Sequence, residues 1–162
     1  LAEPIIPEIP FAGGSMGYGL PAGVGFALAK KLKGEEGIVY VLMSDGEMQC
    51  GTTHESSLIA KHHQLDNLHI IVDMNGYQAM GLTMDILDSE EADIFNGWCK
   101  QRINGHDFNK LNKIFNVAID TPMVTFAHTI KGKGVSFMED NNLYHYKNLS
   151  EKEYRKGLEE LK

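Results

Sequence analysis

Cysteine is scarce: only Cys50 and Cys99 occur in 162 residues. Two cysteines build no disulfide framework, and no Cys-x-x-Cys pair is present for zinc or thiol exchange, so a reducing, cytoplasmic setting is expected. Cations are also few. Fifteen Lys and Arg stand against 22 Asp and Glu, a net charge of −7. Phosphate backbones and anionic lipids attract clustered cations, so this balance argues against nucleic-acid and membrane-surface roles. The densest basic run, KGKG at Lys131–Gly134 with Lys147 nearby, is too small to reverse it. No apolar run approaches the roughly 18 residues of a membrane span. The opening LAEPIIPEIPFAGG lacks the basic-then-apolar pattern of a signal peptide. Repeats and low-complexity tracts are absent as well. What is present is 43% apolar content, enough for the core of one domain over residues 1–162.

After three prolines (Pro4, Pro7, Pro10), MGYGLPAGVGFALAKKL reads as a close-packed helix closed by Gly34. Ile38 to Met43 is apolar without alternation, the pattern of a parallel strand buried on both faces. Around 54–64, Leu58, Ile59 and Leu65 recur at helical spacing, and NLHIIVDM (Asn67–Met74) is a second strand. Ser89–Lys100 reads as helical. NGHDFNKLNKIFNVA is a further helix capped by Asp107, and PMVTFAHTI a further strand. The tail begins with Ser150 and has Glu153 three residues on, a capping box. Strands alternating with helices predict an α/β doubly wound, mostly parallel sheet with helices on both faces.

The stretch SDGEMQCGTTHESS (residues 44–57) puts an acidic turn directly after the first strand. Ligands of open parallel sheets collect at the carboxyl ends of the strands. Asp45 follows the first strand and Asn75 the second, so both side chains can face one crevice. A carboxylate and an amide oxygen are hard donors suited to Mg²⁺ or another divalent cation shared with phosphate oxygens. The backbone carbonyl of Tyr77 can add a third ligand, and Gly46 and Gly76 let the chain turn beside the ion. Either DG or NG alone is a common turn signal. Their placement after consecutive strands, with GGSMGYG upstream, is what points to a ligand.

Five blocks, SMGYGLPAGVGFALAKKL, DGEMQCGTTHE, QLDNLHIIVDMNGYQ, INGHDF and HTIKGKGVSFME, resemble in order the diphosphate-binding module of the transketolases, which use thiamine diphosphate. The resemblance runs from Gly13 to the end of the chain. It implies a thiamine-diphosphate-binding fold, with Asp45, Asn75 and the Tyr77 carbonyl holding the metal. It implies that Gly14, Ser15 and Met16 meet the cofactor and that Gly46 sits beside the diphosphate. Lys131 and His145 would meet diphosphate or substrate polar groups, and Glu55 matches an acidic position associated with proton communication between sites. The implied reaction is transfer of a two-carbon ketol unit from a ketose or sugar phosphate to an aldose, with His145 and Glu55 as the catalytic candidates.

The same resemblance implies that the family's N-terminal stretch, its pyrimidine-binding module and its C-terminal module lie outside these 162 residues. A partner subunit or module would supply the rest of the active site, and an oligomer follows. The sequence departs from the family at Cys50, where a Glu is usual, at His54 and Ser44, and at Tyr146 after the late His. Cys50, Tyr146 and the N-terminal stretch outside these residues motivate a second reading, a non-catalytic module that keeps the fold. The 2-oxoacid decarboxylases share the cofactor and a loop similar to Gly14–Pro21, but they lack the HTIKGKG block and rank as the alternative enzyme class.

The remaining candidates read as structural. His54, Glu55, His62 and His63 do not have the His-Glu-x-x-His spacing of a zinc helix. His62 and His63 fit a helix surface, His69 and His128 satisfied strand positions, and His106 a turn at a helix start. Cys50 reads as a small buried filler, and Met43, Met48, Met74 and Met80 as packing residues.

Overall fold

The computed structural model describes residues 6–87, 94–118 and 120–162. The small-residue run forms helix α1 (Gly19–Lys33) and ends, as expected, at Gly34, whose φ of 69° is left-handed. Strand β1 (Val39–Ser44) passes through a tight 3-10 turn (Asp45–Gln49) into helix α2 (Gly51–His62), and the chain returns as strand β2 (Leu68–Met74). A small hairpin, β3 (Tyr77–Gln78) and β4 (Gly81–Leu82), and one helical turn, α3 (Thr83–Ile86), come next. Strand β5 (Cys99–Asn104), helix α4 (Phe108–Ile114), strand β6 (Met123–His128) and helix α5 (Glu151–Glu160) follow. Asp107 caps α4 by accepting from the Asn109 and Lys110 amides, and Ser150 and Glu153 form the capping box of α5, both as the sequence predicts.

Four strands pair in parallel in the order β1-β2-β6-β5. The step from β1 to β2 crosses the sheet in one direction and the step from β5 to β6 crosses it in the other. Right-handed crossovers running in opposite directions put their helices, α2 and α4, on opposite faces. This is the doubly wound α/β architecture expected from the alternation of elements. On one face, Val41, Met43, Leu68, Ile70, Val72, Val124 and Phe126 pack beneath Leu20, Val24 and Ala27 of α1, Ala60 of α2, and Ile94, Phe95 and Trp98. The register explains this layer, because Val41, Ile70 and Val124 are paired across three strands. Phe95 meets Trp98 and Phe126 edge-on at 5.2 and 6.0 Å. On the other face, Tyr40 packs on Phe115 at the end of α4, with ring centroids 5.2 Å apart.

Four sequence expectations are corrected. The run Ile38–Met43 is not buried on both faces: β1 is an edge strand, and Tyr40 and Leu42 on its second face are 43% and 76% exposed. Helix α2 does not bury Leu58 and Ile59, which face solvent. Its inner face is Thr53, Ser56, Ser57 and Ala60, small enough for close packing, and the Thr53 and Ser57 hydroxyls donate to the carbonyls of Glu47 and Ile94. Cys99 and Lys100, assigned to a helix over Ser89–Lys100, open strand β5, whose polar sequence CKQRIN hides it from an apolar-run search; positions 89–93 of that segment lie outside the described residues. Met80 is exposed on the hairpin, whereas Met43 and Met48 are in the core and Met74 packs against it. Among the described residues, no helix is long and apolar enough to cross a membrane.

His69 is buried at the centre of the second face, where a ring nitrogen lies 2.9 Å from the Thr125 hydroxyl. Burial lowers its pKa from 6.5 to about 4. The unfolded chain therefore takes up a proton that the folded chain refuses, so stability falls as pH drops through that window. Denaturant titrations between those two pH values are expected to lose up to about 3 kcal/mol through this group, with a shallower pH slope in His69→Gln. A second test concerns packing. A Cβ at Gly23 would stand 2.3 Å from Val41 Cγ2, while nothing lies within 4 Å of one at Gly25. Gly23→Ala is expected to destabilise by about 1–3 kcal/mol and Gly25→Ala to be neutral or stabilising by about 0.5–1 kcal/mol, both read by urea unfolding.

Candidate cofactor and metal site

Asp45 leaves the tip of β1 and is 1% exposed. One carboxylate oxygen accepts the Gly46 amide at 2.7 Å, and the other reaches across to the Gly76 amide, also at 2.7 Å, in the turn after β2. The two strand-end turns are thus joined by a single side chain. Asn75 begins the second turn, its Oδ1 accepting the Tyr77 amide at 2.9 Å. Gly76 takes a φ of 77°, which glycine adopts without strain. The hairpin is braced from the far side by the Tyr77 hydroxyl, which donates to the Asp140 carbonyl at 2.7 Å.

Burial raises the Asp45 pKa. Amide hydrogen bonds from Gly76 and Gly46 and the nearby Thr83 hydroxyl oppose that rise, and the negative charge of Asp73 adds to it. The Thr83 oxygen is itself buried and completes no hydrogen bond among the described residues. Among the described residues no three His, Cys, Asp or Glu side chains gather as a metal site. The donor set here is of another kind: one buried carboxylate, one amide oxygen and nearby backbone carbonyls. Each of those oxygens keeps a lone pair after its hydrogen bond, and all are hard donors, so the residues present fit a small divalent cation with a phosphate-bearing cofactor.

The glycine loop is anchored beside this pair. Glu47 accepts from the Ser44 amide at 2.8 Å and the Gly17 amide at 3.1 Å, and the Thr52 hydroxyl donates to the Gly17 carbonyl at 2.7 Å. Gly17 has φ 77°, and a Cβ there would lie 2.5 Å from the Thr52 hydroxyl oxygen and 2.7 Å from Cys50 Cβ. Gly14, Ser15 and Met16 are exposed on the loop that Gly17 ends, and Met16 reaches to within 3.2 Å of a Cβ built on Gly46. Sequence reasoning missed Glu47 and Gly17. The Ser44-x-x-Glu47 spacing, a capping box in the structure, was the available signal.

Lys131 follows β6, held in a loop closed by the Asp140 amide donating to the Lys131 carbonyl at 3.0 Å. A Cβ on the next residue, Gly132, would strike the Met138 carbonyl at 2.6 Å, which accounts for glycine after the lysine. The Ile130 amide donates to His106 Nε2 at 2.8 Å, so the turn histidine steadies the same loop. His145 is exposed in a short 3-10 turn, and its pKa is lowered by partial burial and by Lys131, with Asp45 acting in the opposite sense. His145 therefore feels the charges of both Lys131 and Asp45. The loop carrying His145 is fastened to α5 by Glu153, which accepts from Tyr144, Lys147 and Ser150. A cavity of about 430 Å³ opens beside Asn75 and Lys131, floored by Leu42 and Ile71 and edged by Asp73 and Thr129.

Other candidates stay apart. Glu55 is exposed on α2 and makes no hydrogen bond or ion pair with the described residues. Cys50 is half-buried, and burial and the Glu47 charge raise its thiol pKa, the reverse of an activated nucleophile. His62 and His63 are exposed on the end of α2, ring against ring, and His128 is exposed at the end of β6 rather than satisfied within it.

Known proteins resemble this chain in sequence and fold. One of the subunits of an apulose-4-phosphate transketolase from Actinobacillus succinogenes is 38% identical over 165 residues, covering 96% of this chain and 58% of that protein. Human transketolase is 31% identical over 157 residues, covering 93% of this chain and 25% of the enzyme. The crystal structure of transketolase from Campylobacter jejuni superposes with a TM-score of 0.88 at 29% identity, over 93% of this chain and 26% of that one. The chain thus spans little more than half the length of the Actinobacillus relative and about a quarter of the larger enzymes. Residues 5–161 match the model of one family, the transketolase thiamine diphosphate binding domain, and the chain belongs to that family.

Proposed function

We propose that the chain serves as the diphosphate-binding module of a transketolase-type transferase that moves a two-carbon ketol unit from a ketose or sugar phosphate to an aldose in the cytoplasm. One observation carries this reading: the Asp45 carboxylate at the tip of β1 bonds the Gly76 amide after β2, bringing the Asp45 and Asn75 donors to one place. In this reading Asp45, Asn75 Oδ1 and the Tyr77 carbonyl hold Mg²⁺, a hard cation that prefers oxygen ligands and phosphate. Thiamine diphosphate, when bound, would supply the carbanion-stabilising chemistry that cleavage beside a ketose carbonyl needs. The protein's part is to bind, orient and exchange protons. Glu47, through Gly17, presents residues 14–16 to the cofactor. Lys131 contributes a fixed positive charge for diphosphate. His145, shifted toward its neutral form by burial and Lys131, is suited to exchange protons with substrate hydroxyls.

A complementary subunit or module carrying the pyrimidine-binding part belongs to this proposal, with an oligomer as the active form. It is supported by the Actinobacillus relative, which is named as one of the subunits of its transketolase and of which this chain covers 58%. Glu55 enters the reading only as a group for contact with such a partner, because it makes no bond to the described residues of this chain.

Calorimetric titration of thiamine diphosphate, with Mg²⁺ and with chelator, is the direct test. Binding is expected only with the cation. Asp45→Asn and Asn75→Ala are each expected to weaken it at least about tenfold, the scale on which disturbing metal ligation acts, while His63→Ala leaves it unchanged. Equal effects of all three substitutions contradict the assignment. Turnover of a ketose donor, and not of a 2-oxoacid, by the chain with its partner separates the transketolase reading from the decarboxylase alternative; cofactor binding without either activity identifies a non-catalytic module.

A further inference from the structure

Asp73 is a second carboxylate at the same strand end, and its charge raises the pKa of Asp45. A neutral residue would avoid that repulsion, so its presence asks for a compensating role. Its contacts supply one. The Thr129 hydroxyl, just past β6, donates to Asp73 Oδ1, while Asp73 Oδ2 accepts from Asn75 Nδ2 at 3.2 Å. On its other side Asn75 Oδ1 accepts the Tyr77 amide at 2.9 Å. An ionised carboxylate only accepts and a backbone amide only donates, so these two partners read the Asn75 amide in the same orientation. The alternative, rotated by half a turn, would set oxygen against carboxylate and NH₂ against N–H. Tyr77 alone leaves the NH₂ without a fixed partner; Asp73 fixes it, and Thr129 fixes Asp73.

We propose that Asp73, held by Thr129, is a positioning residue that locks the Asn75 amide with its oxygen on the cation side and its NH₂ away from the ion. The inference rests on the cation reading above and extends it to residues outside the ligand set. The lock matters because an amide that turns its NH₂ toward a divalent cation presents positive charge to positive charge, while its oxygen presents a ligand. Metal ligands in general depend on such outer partners for their orientation, and losing one lowers metal affinity about 10–100-fold. Asp73 also lines the cavity together with Asn75 and Lys131.

The test separates orientation from charge. Mg²⁺ is titrated into the full chain, with any copurifying partner, in the presence of thiamine diphosphate and followed by calorimetry; unfolding midpoints are measured in parallel. Asp73→Asn, which keeps the shape but can turn either a donor or an acceptor toward Asn75, is expected to weaken Mg²⁺ binding about tenfold with the unfolding midpoint little changed. In an Asn75→Asp background both side-chain oxygens are acceptors and no orientation needs to be imposed, so Asp73→Asn is expected to cost nothing there. Equal losses in the two backgrounds would reduce Asp73 to a distant charge and overturn the proposal, as would no loss in the Asn75 protein. Should Asp73→Asn fail to fold, Thr129→Val carries the same comparison, with a smaller loss confined to the Asn75 protein. A wild-type chain that binds the cofactor without any cation dependence defeats the metal reading itself, an outcome distinct from the failure of the lock.

Discussion

A single buried carboxylate organises one end of this sheet. Asp45 is almost inaccessible to water, yet its two oxygens are engaged by amides from two different strand-end turns. Desolvating a carboxylate is costly unless hydrogen bonds or a cation compensate. The amides of Gly46 and Gly76 give part of that compensation, and the rise of the pKa shows that it is incomplete in the protein alone. The remaining polarity faces the hairpin and the Thr83 hydroxyl. The glycine loop is tied to the same turn through Glu47, and the hairpin to the Lys131 loop through Tyr77, so each segment that meets the site is fastened to this carboxylate directly or at one remove.

Much of this was legible in the chain because the relevant signals are local. The Gly34 stop, the Asp107 cap and the Ser150–Glu153 capping box each involve residues within a few positions of one another, and each formed as its chemistry requires. The convergence of Asp45 and Asn75 was legible for a different reason: consecutive parallel strands joined by one right-handed crossover must bring their carboxyl ends to the same edge. What stayed hidden depends on neighbours far away in sequence. Leu58 and Ile59 have helical spacing but the wrong face, because the helix sits close enough to its neighbours that only hydroxyl and methyl side chains fit beneath it. CKQRIN became a strand through pairing with β6, against its own polarity. The contact of Glu47 with Gly17 spans thirty positions and involves a backbone amide, which no residue pattern announces.

The site also shows how a helix cap can serve a distant loop. Glu153 closes the capping box of α5 and, with the same carboxylate, collects the Tyr144 hydroxyl and the Lys147 ammonium on either side of His145. These bonds hold its pKa well below the usual carboxylate range, Lys147 contributing most. The last helix is therefore more than a surface appendage: its first turn fixes both ends of the segment that carries the late histidine toward Asp45 and Lys131.

The unpaired side of β1 has a consequence for handling the molecule. Its six residues, VYVLMS, carry no charge and no proline, the devices by which natural edge strands repel one another. Among the described residues no strand pairs with that border. A concentrated solution of the isolated chain thus offers every copy a ready template for sheet extension.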